Sequence, residues 1–245
     1  MKIGAVIQAR TGSTRLPGKV LKILEGKMVL EHVIERVKLS KNIDEIIIAT
    51  TCQDKDDIIE YEALKSGVKV FRGSEDDVLS RYYHAAKFYK LDIVVRITSD
   101  CPLIDPYIMD NIITCFCENK FDIVSNASSN PYNRTFPRGL DIEVFYFSHL
   151  EAAYNYATEK YQREHVTPYL YERAKNIYYY RNGEDYSNYR WTLDTEDDFL
   201  LISRIYEHFY RGKHDFFMSD IIKFLKENPK LISINAHVEQ KKLNE

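Results

Sequence analysis

Short apolar runs alternate along the chain with stretches in which apolar residues recur every three to four positions. Residues 2–9 form the first run, a loop containing Gly, Ser, Thr and Pro follows through Gly18, and residues 30–39 carry the helical period. Short apolar runs are typical of buried strands, and a 3.6-residue period is typical of amphipathic helices. The N-terminal pattern therefore predicts a strand, a loop and a helix in that order.

The alternation continues to about residue 125, with a capping Asp or a terminating Gly at several predicted helix ends. Further strands are predicted at residues 43–51, 68–71, 91–98 and 121–125, and helices at residues 54–65, 76–89 and 105–120. Repeated βα units predict an α/β fold with a mostly parallel sheet and helices on both faces. Ligands of such folds bind beyond the carboxyl ends of the strands, where residues 10–18 and 99–106 form two unusual loops.

Beyond residue 130 the alternation breaks down into an aromatic-rich stretch, before a predicted strand at residues 189–193 and a helix from Thr195. We interpret residues 130–191 as an insertion-like region within one domain spanning residues 1–245. Residues 132–191 hold 16 of the 32 aromatic side chains. Because Tyr and Trp are enriched at interfaces, this stretch predicts a homodimer interface, with a tyrosine-rich local core or a ligand pocket as the alternative.

Composition excludes several classes of protein. With 34 basic and 37 acidic residues the net charge is −3. No run approaches the roughly 20 apolar residues that a membrane-spanning helix needs, and residues 1–6 resemble a strand rather than a signal peptide. We therefore expect a cytoplasmic protein without membrane contact. The acidic balance argues against a nucleic-acid partner, and the four cysteines predict neither a disulfide nor a zinc site. Only one of the seven histidines, His165, falls in a motif.

Basic residues are concentrated at the N-terminus, where residues 1–27 carry six Lys or Arg and one acid, Glu25. An anion site and a solvated basic surface both fit this cluster. Small residues in the loop of residues 10–18 would let backbone N–H groups approach phosphate oxygens, and Arg10, Arg15 and Lys19 would supply charge. The loop lacks the Walker A and Gly-x-Gly-x-x-Gly spacings, so a triphosphate cradle and a polar surface loop are equally compatible with it.

The same loop resembles the nucleotide-binding signature of the sugar-acid cytidylyltransferases, which include the CMP-Kdo and CMP-acylneuraminate synthetases. The resemblance rests on Ile7–Arg10, Ser13, Arg15 and Leu16–Lys19. Four further blocks, in the same order along the chain, are most similar to the spore-coat polysaccharide biosynthesis F-type proteins of this family. These blocks are Phe71–Leu79, Asp100–Asp105, Arg163–Pro168 and Leu193–Asp198.

The resemblance implies a Rossmann-like nucleotidyltransferase that joins CMP from CTP to a small acidic sugar, releases pyrophosphate and requires Mg²⁺. By motif position, the metal ligands are Asp100, after a central strand, and Asp194, after a late one. Carboxylate oxygens suit Mg²⁺. From local sequence alone, Asp100 fits the start of a turn and Asp194 fits a helix N-cap. Relatives commonly carry glycine before the first of these aspartates, where this chain has Ser99.

The resemblance also assigns donors and charges to the nucleotide. Arg15 and Lys19 are expected to act catalytically by neutralising the triphosphate and the departing pyrophosphate, without a covalent protein intermediate. Arg72 and Ser74 are expected near the ribose or base edge, although a turn with Ser74 capping the next helix fits equally well. The expected nucleotide-binding residues are Arg10, Gly12, Ser13, Arg15, Lys19, Arg72 and Ser74.

The acceptor sugar is expected to bind in the insertion-like region. Candidate acceptor-binding residues are Arg138, Glu143, Arg163, Glu164 and His165. Residues 138–144 are also compatible with an ordinary strand, and a lone histidine such as His165 is more often structural than catalytic. The acceptor itself is left open between a nonulosonic acid, a Kdo-like acid and another sugar of a surface-glycan pathway.

Three other functions are compatible with similar sequence features. A metal-dependent glycosyltransferase would carry Asp-x-Asp after a central strand, whereas this chain has Ser99-Asp100-Cys101 and a basic loop with no triphosphate to serve. A nucleotidyltransferase with another base or sugar is a nearer alternative. A non-catalytic nucleotide sensor is the third, and the joint presence of Lys19, Asp100 and Asp194 argues against it.

Overall fold

The computed structural model describes residues 1–128 and 131–240, so residue 130 of the predicted insertion and residues 241–245 of the predicted domain lie outside the described part. The described strands are β1 (Ile3–Gln8), β2 (Ile23–Leu24), β3 (Lys27–Met28), β4 (Glu45–Thr51), β5 (Lys69–Gly73), β6 (Ile93–Thr98), β7 (Ile123–Ser125), β8 (Glu143–Tyr146) and β9 (Ile177–Tyr179). The described helices are α1 (Val29–Val37), α2 (Asp57–Lys65), α3 (Val78–Phe88), α4 (Pro106–Glu118), α5 (Phe147–Tyr156), α6 (Lys160–His165), α7 (Pro168–Arg173), α8 (Glu196–Phe209), α9 (Met218–Glu227) and α10 (Pro229–Ile232).

Seven strands form one twisted layer in the order β5-β4-β1-β6-β8-β7-β9, and β2 pairs with β3 in a separate hairpin. β1 pairs in parallel with β4 and β6, β4 with β5, and β7 with β9, whereas β8 is antiparallel to both neighbours. The predicted mostly parallel sheet is therefore confirmed. Since Gln8 lies opposite Thr98 in the register, the loops after β1 and β6 leave the same edge of the sheet.

Helices cover both faces, as predicted, because successive strand residues point to opposite sides. Ala5 and Ile7 of β1 pack into a core shared with α1, α4 and α8, while Val6 packs into a second core with α3 and α5. Strands buried on both faces read as unbroken apolar runs, which explains why β1, β4 and β6 were visible in the sequence. Within the described residues, no helix is long and apolar enough to cross a membrane.

The aromatic-rich stretch is built into the sheet. It supplies β8 and β9, and α5 to α7 of the same stretch pack over the face that holds α3. Phe136, Phe145 and Trp191 are buried. Much of its aromatic content therefore fills the core, although Tyr132, Tyr156 and Tyr178 are exposed by 83%, 69% and 41%.

The predicted strand at residues 189–193 is wrong, because the chain there makes a single parallel bridge between Arg138 and Arg190. Close approach at that bridge depends on Gly139, which has a φ of +98° and whose missing Cβ would lie 2.4 Å from the backbone carbon of Trp191. The backbone then turns toward β6, where the Leu193 amide donates to the Asp100 carbonyl at 2.8 Å. Residues 190–194 are thus held by the loop after β6 rather than by a ladder.

Candidate active site

Two aspartates that are far apart in sequence meet at one ammonium group. Lys19 Nζ lies 2.6 Å from Asp100 Oδ2 and 2.9 Å from Asp194 Oδ1. The three side chains are exposed by only 14%, 21% and 12%, respectively. The structure therefore brings together the two predicted metal ligands and one predicted catalytic cation, at the carboxyl edge of the parallel strands.

The positive charge of Lys19 and the negative charges of the two carboxylates stabilise one another. Burial alone would lower the pKa of Lys19, but the two carboxylates raise it well above the usual lysine range. Burial alone would raise the pKa of Asp100, but the charge and hydrogen bond of Lys19 and the hydroxyl of Thr98 bring it below the usual range. Both groups are therefore charged at neutral pH. A buried ion pair of this kind keeps its charges because each partner compensates the desolvation of the other.

Each aspartate is held by its own local structure. Asp100 follows β6, and its Oδ1 accepts from the Thr98 hydroxyl at 2.5 Å. Asp194 precedes α8, whose N-terminus is closed by a capping box between Thr195 and Asp198. Thr195, rather than Asp194, is the N-cap, so the Asp194 carboxylate is free to face Lys19. The interpretation of Asp194 as the helix cap is thus not what the structure shows.

Arg190 and Asp198 form hydrogen bonds that hold Asp194 in place, and neither was among the predicted site residues. Arg190 donates from Nη2 to Asp194 Oδ2 at 2.8 Å and from Nε to Asp198 Oδ1 at 2.9 Å. Asp198 is fully buried and also accepts the backbone N–H of Asp194 at 3.0 Å. Asp198 lies in the motif Leu193–Asp198, but only the fold reveals that Arg190 is its partner. Arg15, predicted to be catalytic, adds an ion pair from Nη2 to Asp194 Oδ2 at 2.9 Å.

The loop after β1 is pinned by a buried carboxylate that the sequence did not single out. Asp56 Oδ1 accepts from the Thr11 amide at 2.8 Å and from the Thr11 hydroxyl at 2.6 Å, and Oδ2 accepts from the Thr51 hydroxyl. Burial acts to raise the pKa of Asp56, but the hydrogen bonds from Thr11 and Thr51 lower it below the usual range. The side chain is therefore an ionised anchor for the loop.

The remaining predicted loop residues lie around that anchor. Ser13 Oγ accepts from the Leu16 amide at 3.3 Å, and Arg10 is exposed. Gly12 lies against an ion pair between Lys55 and Glu75, since an added Cβ would stand 3.1 Å from the Glu75 carboxylate. A side chain at this position would require the flexible ends of Lys55 and Glu75 to shift by a few tenths of an ångström.

Arg72 and Ser74 lie on the next strand and the turn after it. Arg72 donates from Nε to the Thr51 carbonyl at 2.8 Å and from Nη2 to the Gln53 carbonyl at 2.9 Å, and its Nη1 pairs with Glu60 at 2.8 Å. Ser74 Oγ accepts from the Asp77 amide at 3.1 Å, one residue before α3 begins. Both side chains therefore form hydrogen bonds with neighbouring segments, and their contact with a nucleotide stays a prediction.

Glu143, predicted to bind the acceptor, is buried at the start of β8. It forms an ion pair with Arg96 of β6, which lies directly opposite in the register, and its Oε1 accepts from the Tyr171 hydroxyl at 2.8 Å. The partners of Arg96 include Gln8, whose Oε1 lies 3.4 Å from Nη2. A polar row therefore runs from near the carboxyl ends of β1 and β6 to the first residue of antiparallel β8, within an otherwise apolar face.

The predicted acceptor residues at 163–165 differ in their exposure to solvent. Arg163 is held by Asp77 at 2.5 Å and by the Tyr154 carbonyl at 2.7 Å, which ties α6 to the start of α3. Glu164 is exposed and His165 is half-buried. The next residue, Val166, is buried with a φ of +72° and ψ of −57°, and Thr167 N donates to His165 O at 2.9 Å. Such a turn is strained for a β-branched residue, and strain of this kind concentrates at functional sites.

Arg138, another predicted acceptor residue, is linked to Asp194 through Arg190. Its backbone bridges to Arg190, whose side chain holds Asp194. Burial, reinforced by the neighbouring charges of Arg134 and Arg190, lowers the pKa of Arg138. No ion pair involves it within residues 1–128 and 131–240. A partly buried guanidinium beside other cations is a favourable place for an anion.

Comparison with known proteins bears on what this arrangement does. Residues 5–228 match the family model described as cytidylyltransferase. The chain is 44% identical over 250 residues to an uncharacterised protein of Methanocaldococcus jannaschii, covering 100% of this chain and 99% of that protein. It is 33% identical to the spore coat polysaccharide biosynthesis protein SpsF of Bacillus subtilis, covering 91% and 94%.

More distant and structural relatives point the same way. The chain is 37% identical to a 3-deoxy-manno-octulosonate cytidylyltransferase of Pelobacter propionicus. The matched region covers 46% of this chain and 44% of that protein. A solved cytidylyltransferase of Leptospira borgpetersenii superposes with a TM-score of 0.89 at 39% identity, covering 99% of both chains. Together with the matched family model, these similarities show that the chain belongs to the cytidylyltransferase family.

Proposed function

We propose that this protein transfers CMP from CTP to a small acidic sugar used in surface-glycan synthesis, and that pyrophosphate is released. One observation carries the proposal: Asp100, Asp194 and Lys19 converge at the carboxyl edge of the sheet, next to the loop of residues 10–18. Two anionic oxygens beside mobile cations are what transfer of a nucleotidyl group requires. The alternative with another base or sugar uses the same cluster.

Mg²⁺ fits the donor set of this cluster. Asp100 and Asp194 offer oxygen ligands to a single point, and a cation, the Lys19 ammonium, already lies between them. Carboxylate oxygens completed by phosphate oxygens and water are the usual surroundings of Mg²⁺ in nucleotide sites. Bound there, Mg²⁺ would neutralise charge on the triphosphate and on the departing pyrophosphate.

The chain's own residues account for the rest of the reaction. An acceptor hydroxyl oxygen attacks the α-phosphorus, the bond from that phosphorus to the β-phosphate oxygen breaks, and the hydroxyl proton leaves to solvent or a nearby base. Arg15, whose side chain is 35% exposed, can turn from Asp194 to a phosphate. Lys19, which pairs with the same aspartate, supplies a second positive charge. Positioning and charge neutralisation suffice, so no covalent protein intermediate is required.

Arg138 supports the acidic nature of the acceptor. An acidic sugar carries a carboxylate, and arginine binds carboxylates through two parallel hydrogen bonds. Arg163, Arg134 and Arg96 already pair with Asp77, Asp141 and Glu143. Arg138 has no such pair among the described residues and its backbone adjoins Arg190. The similarity to an octulosonate cytidylyltransferase supports the same class of acceptor.

The test is a panel of sugar acids and neutral sugars, each incubated with the protein, CTP and Mg²⁺. We expect pyrophosphate and a CMP conjugate by mass spectrometry with at least one sugar acid. Conjugates with neutral sugars alone would contradict the acidic acceptor, and a free nucleoside diphosphate from a nucleotide sugar would indicate glycosyl transfer. Arg138→Ala should raise the KM for the acid, while Arg181→Ala, at an exposed arginine of the same stretch, serves as its matched control.

A further inference from the structure

A second group of metal-ligating side chains lies outside the cluster around Lys19. His32 and Glu35 are one turn apart on α1, and His214 comes from the segment between α8 and α9. One ligand atom from each of these three side chains lies within 4.8 Å of the other two. Histidine nitrogens with one carboxylate are a common donor set for Zn²⁺.

The spacing of the three atoms suits a single ion. His32 Nδ1 lies 3.2 Å from His214 Nε2, and His214 Nε2 lies 3.6 Å from Glu35 Oε2. Two nitrogens each about 2.05 Å from a tetrahedral Zn²⁺ would be about 3.3 Å apart. The pair of imidazoles is therefore already at the separation that shared coordination demands.

The surrounding groups orient these ligands. His32 Nε2 lies 2.8 Å from the Leu24 carbonyl, and because a carbonyl only accepts, Nε2 carries the proton and Nδ1 keeps its lone pair. A metal-binding histidine usually donates its second N–H to such an oxygen. Lys27 pairs with Glu35 Oε1, which leaves Oε2 facing His214.

An ion could reach this group of side chains from solvent. The side chain of Glu35 is 38% exposed, whereas those of His32 and His214 are buried, so the group is open to solvent on the carboxylate side only. Tyr210 packs edge-on against His32, with the two ring centroids 5.0 Å apart, and its buried hydroxyl lies beside Lys27. The positive charge of Lys27 would repel a metal ion, but the Lys27 side chain is 35% exposed and can move away.

We propose that His32, Glu35 and His214 bind one Zn²⁺ ion, with water in the fourth position, and that this ion fastens α1 to the segment between α8 and α9. Through the Leu24 carbonyl the same site also orders the β2–β3 hairpin, which follows the turn Lys19–Leu21. The ion is structural. It is independent of the proposed transfer reaction, because the three ligands are not those of the Lys19 cluster.

The test uses the full chain freed of metal by a chelator and then titrated with Zn²⁺. We expect one ion per chain and a melting temperature higher by about 5–10 °C at a free concentration a hundredfold above Kd. Glu35→Gln and His214→Gln should lose most of that shift. His237→Gln, at an exposed histidine paired with Asp197, should keep it.

Replacement of Zn²⁺ by Co²⁺ separates this site from the two aspartates. Four-coordinate Co²⁺ with imidazole ligands absorbs visible light far more strongly than six-coordinate Co²⁺ with oxygen ligands, so strong absorption is expected in the wild type and not in Glu35→Gln. If His214→Gln fails to fold, Glu35→Gln still tests the proposal, because Glu35 is half-exposed. Absence of the shift or of the strong absorption, or their persistence in Glu35→Gln, would overturn the proposal and leave a hydrogen-bonded pair of imidazoles.

Discussion

Lys19 Nζ lies 2.6 Å from a carboxylate oxygen of Asp100, although 81 positions separate the two residues. The contact arises because β1 and β6 are parallel neighbours and their following loops leave the sheet on the same side. Parallel pairing therefore converts two distant motifs into one site.

Asp100→Asn and Asp194→Asn should each lower kcat by about a hundredfold or more, because an anionic oxygen that the proposed Mg²⁺ needs is removed. Both changes are nearly isosteric, so the melting temperature is the control for folding. Turnover is measured by pyrophosphate release at limiting Mg²⁺. A variant that turns over at the wild-type rate under these conditions would remove that aspartate from the metal site.

Lys19→Ala should lower kcat/KM for CTP by about 10²–10³, while the affinity for CMP changes much less, since the charge is aimed at the outer phosphates. Calorimetry with CMP and initial rates with CTP give the two quantities. Lys69→Ala, at an exposed lysine of β5, is the matched control. Equal losses for CMP and CTP would place Lys19 elsewhere than on the triphosphate.

Asp56→Asn should raise the KM for CTP by about tenfold with a smaller effect on kcat, because Thr11 loses part of its anchor. The pKa of Asp56 is lowered in the folded state. The carboxylate therefore stabilises the fold above its unfolded pKa of about 3.9, and this stabilisation disappears as the pH falls through the lower folded value.

Denaturation across a pH series measures that effect. The wild type should lose stability below about pH 4 more steeply than Asp56→Asn does, and the variant should be less stable by about 1–3 kcal/mol at neutral pH. Asp54→Asn, at an exposed residue two positions earlier, controls for the loss of a charge. Identical KM values in Asp56→Asn and the wild type would show that the loop keeps its shape without this anchor.

CTP should be preferred over ATP, GTP and UTP by at least about tenfold in kcat/KM, which corresponds to about 1.4 kcal/mol and is within reach of one or two base-edge hydrogen bonds. Competition assays with pairs of nucleotides measure the ratio directly. Comparable rates with UTP or GTP would retain the site and its chemistry but contradict the choice of cytosine for this chain.

A homodimer through the stretch from residue 132 to residue 191 should be visible by light scattering across a concentration series. Tyr156 and Tyr178 remain exposed after the core of this stretch is packed, and exposed tyrosines are favourable interface residues. Tyr156→Glu or Tyr178→Glu should weaken the dimer, whereas Tyr61→Glu, on α2, should not. A mass that stays at 28.9 kDa into the high-micromolar range contradicts the dimer.

Part of the site could be predicted because its signals are local. Asp100 and Asp194 each follow a predicted strand and lie in a recognisable motif, and Lys19 follows the loop of residues 10–18. Arg190 and Asp56 had no comparable signal, and the motif that contains Asp198 did not indicate what Asp198 contacts. Their roles depend on partners brought close by folding: Asp198 is fully buried against Arg190, and Asp56 is buried against Thr11, 45 positions away.

By itself, the sequence determined the elements and their class, because the period of apolar residues depends only on which faces of a strand or helix are buried. It also indicated candidate side chains for the chemistry, and Lys19, Asp100 and Asp194 among them meet in the fold. Only the tertiary structure decided the strand order, with antiparallel β8 between β6 and β7, and the replacement of the expected strand at residues 189–193 by a bridge at Gly139. These outcomes depend on packing between segments far apart in the chain, and local periodicity carries no information about such contacts.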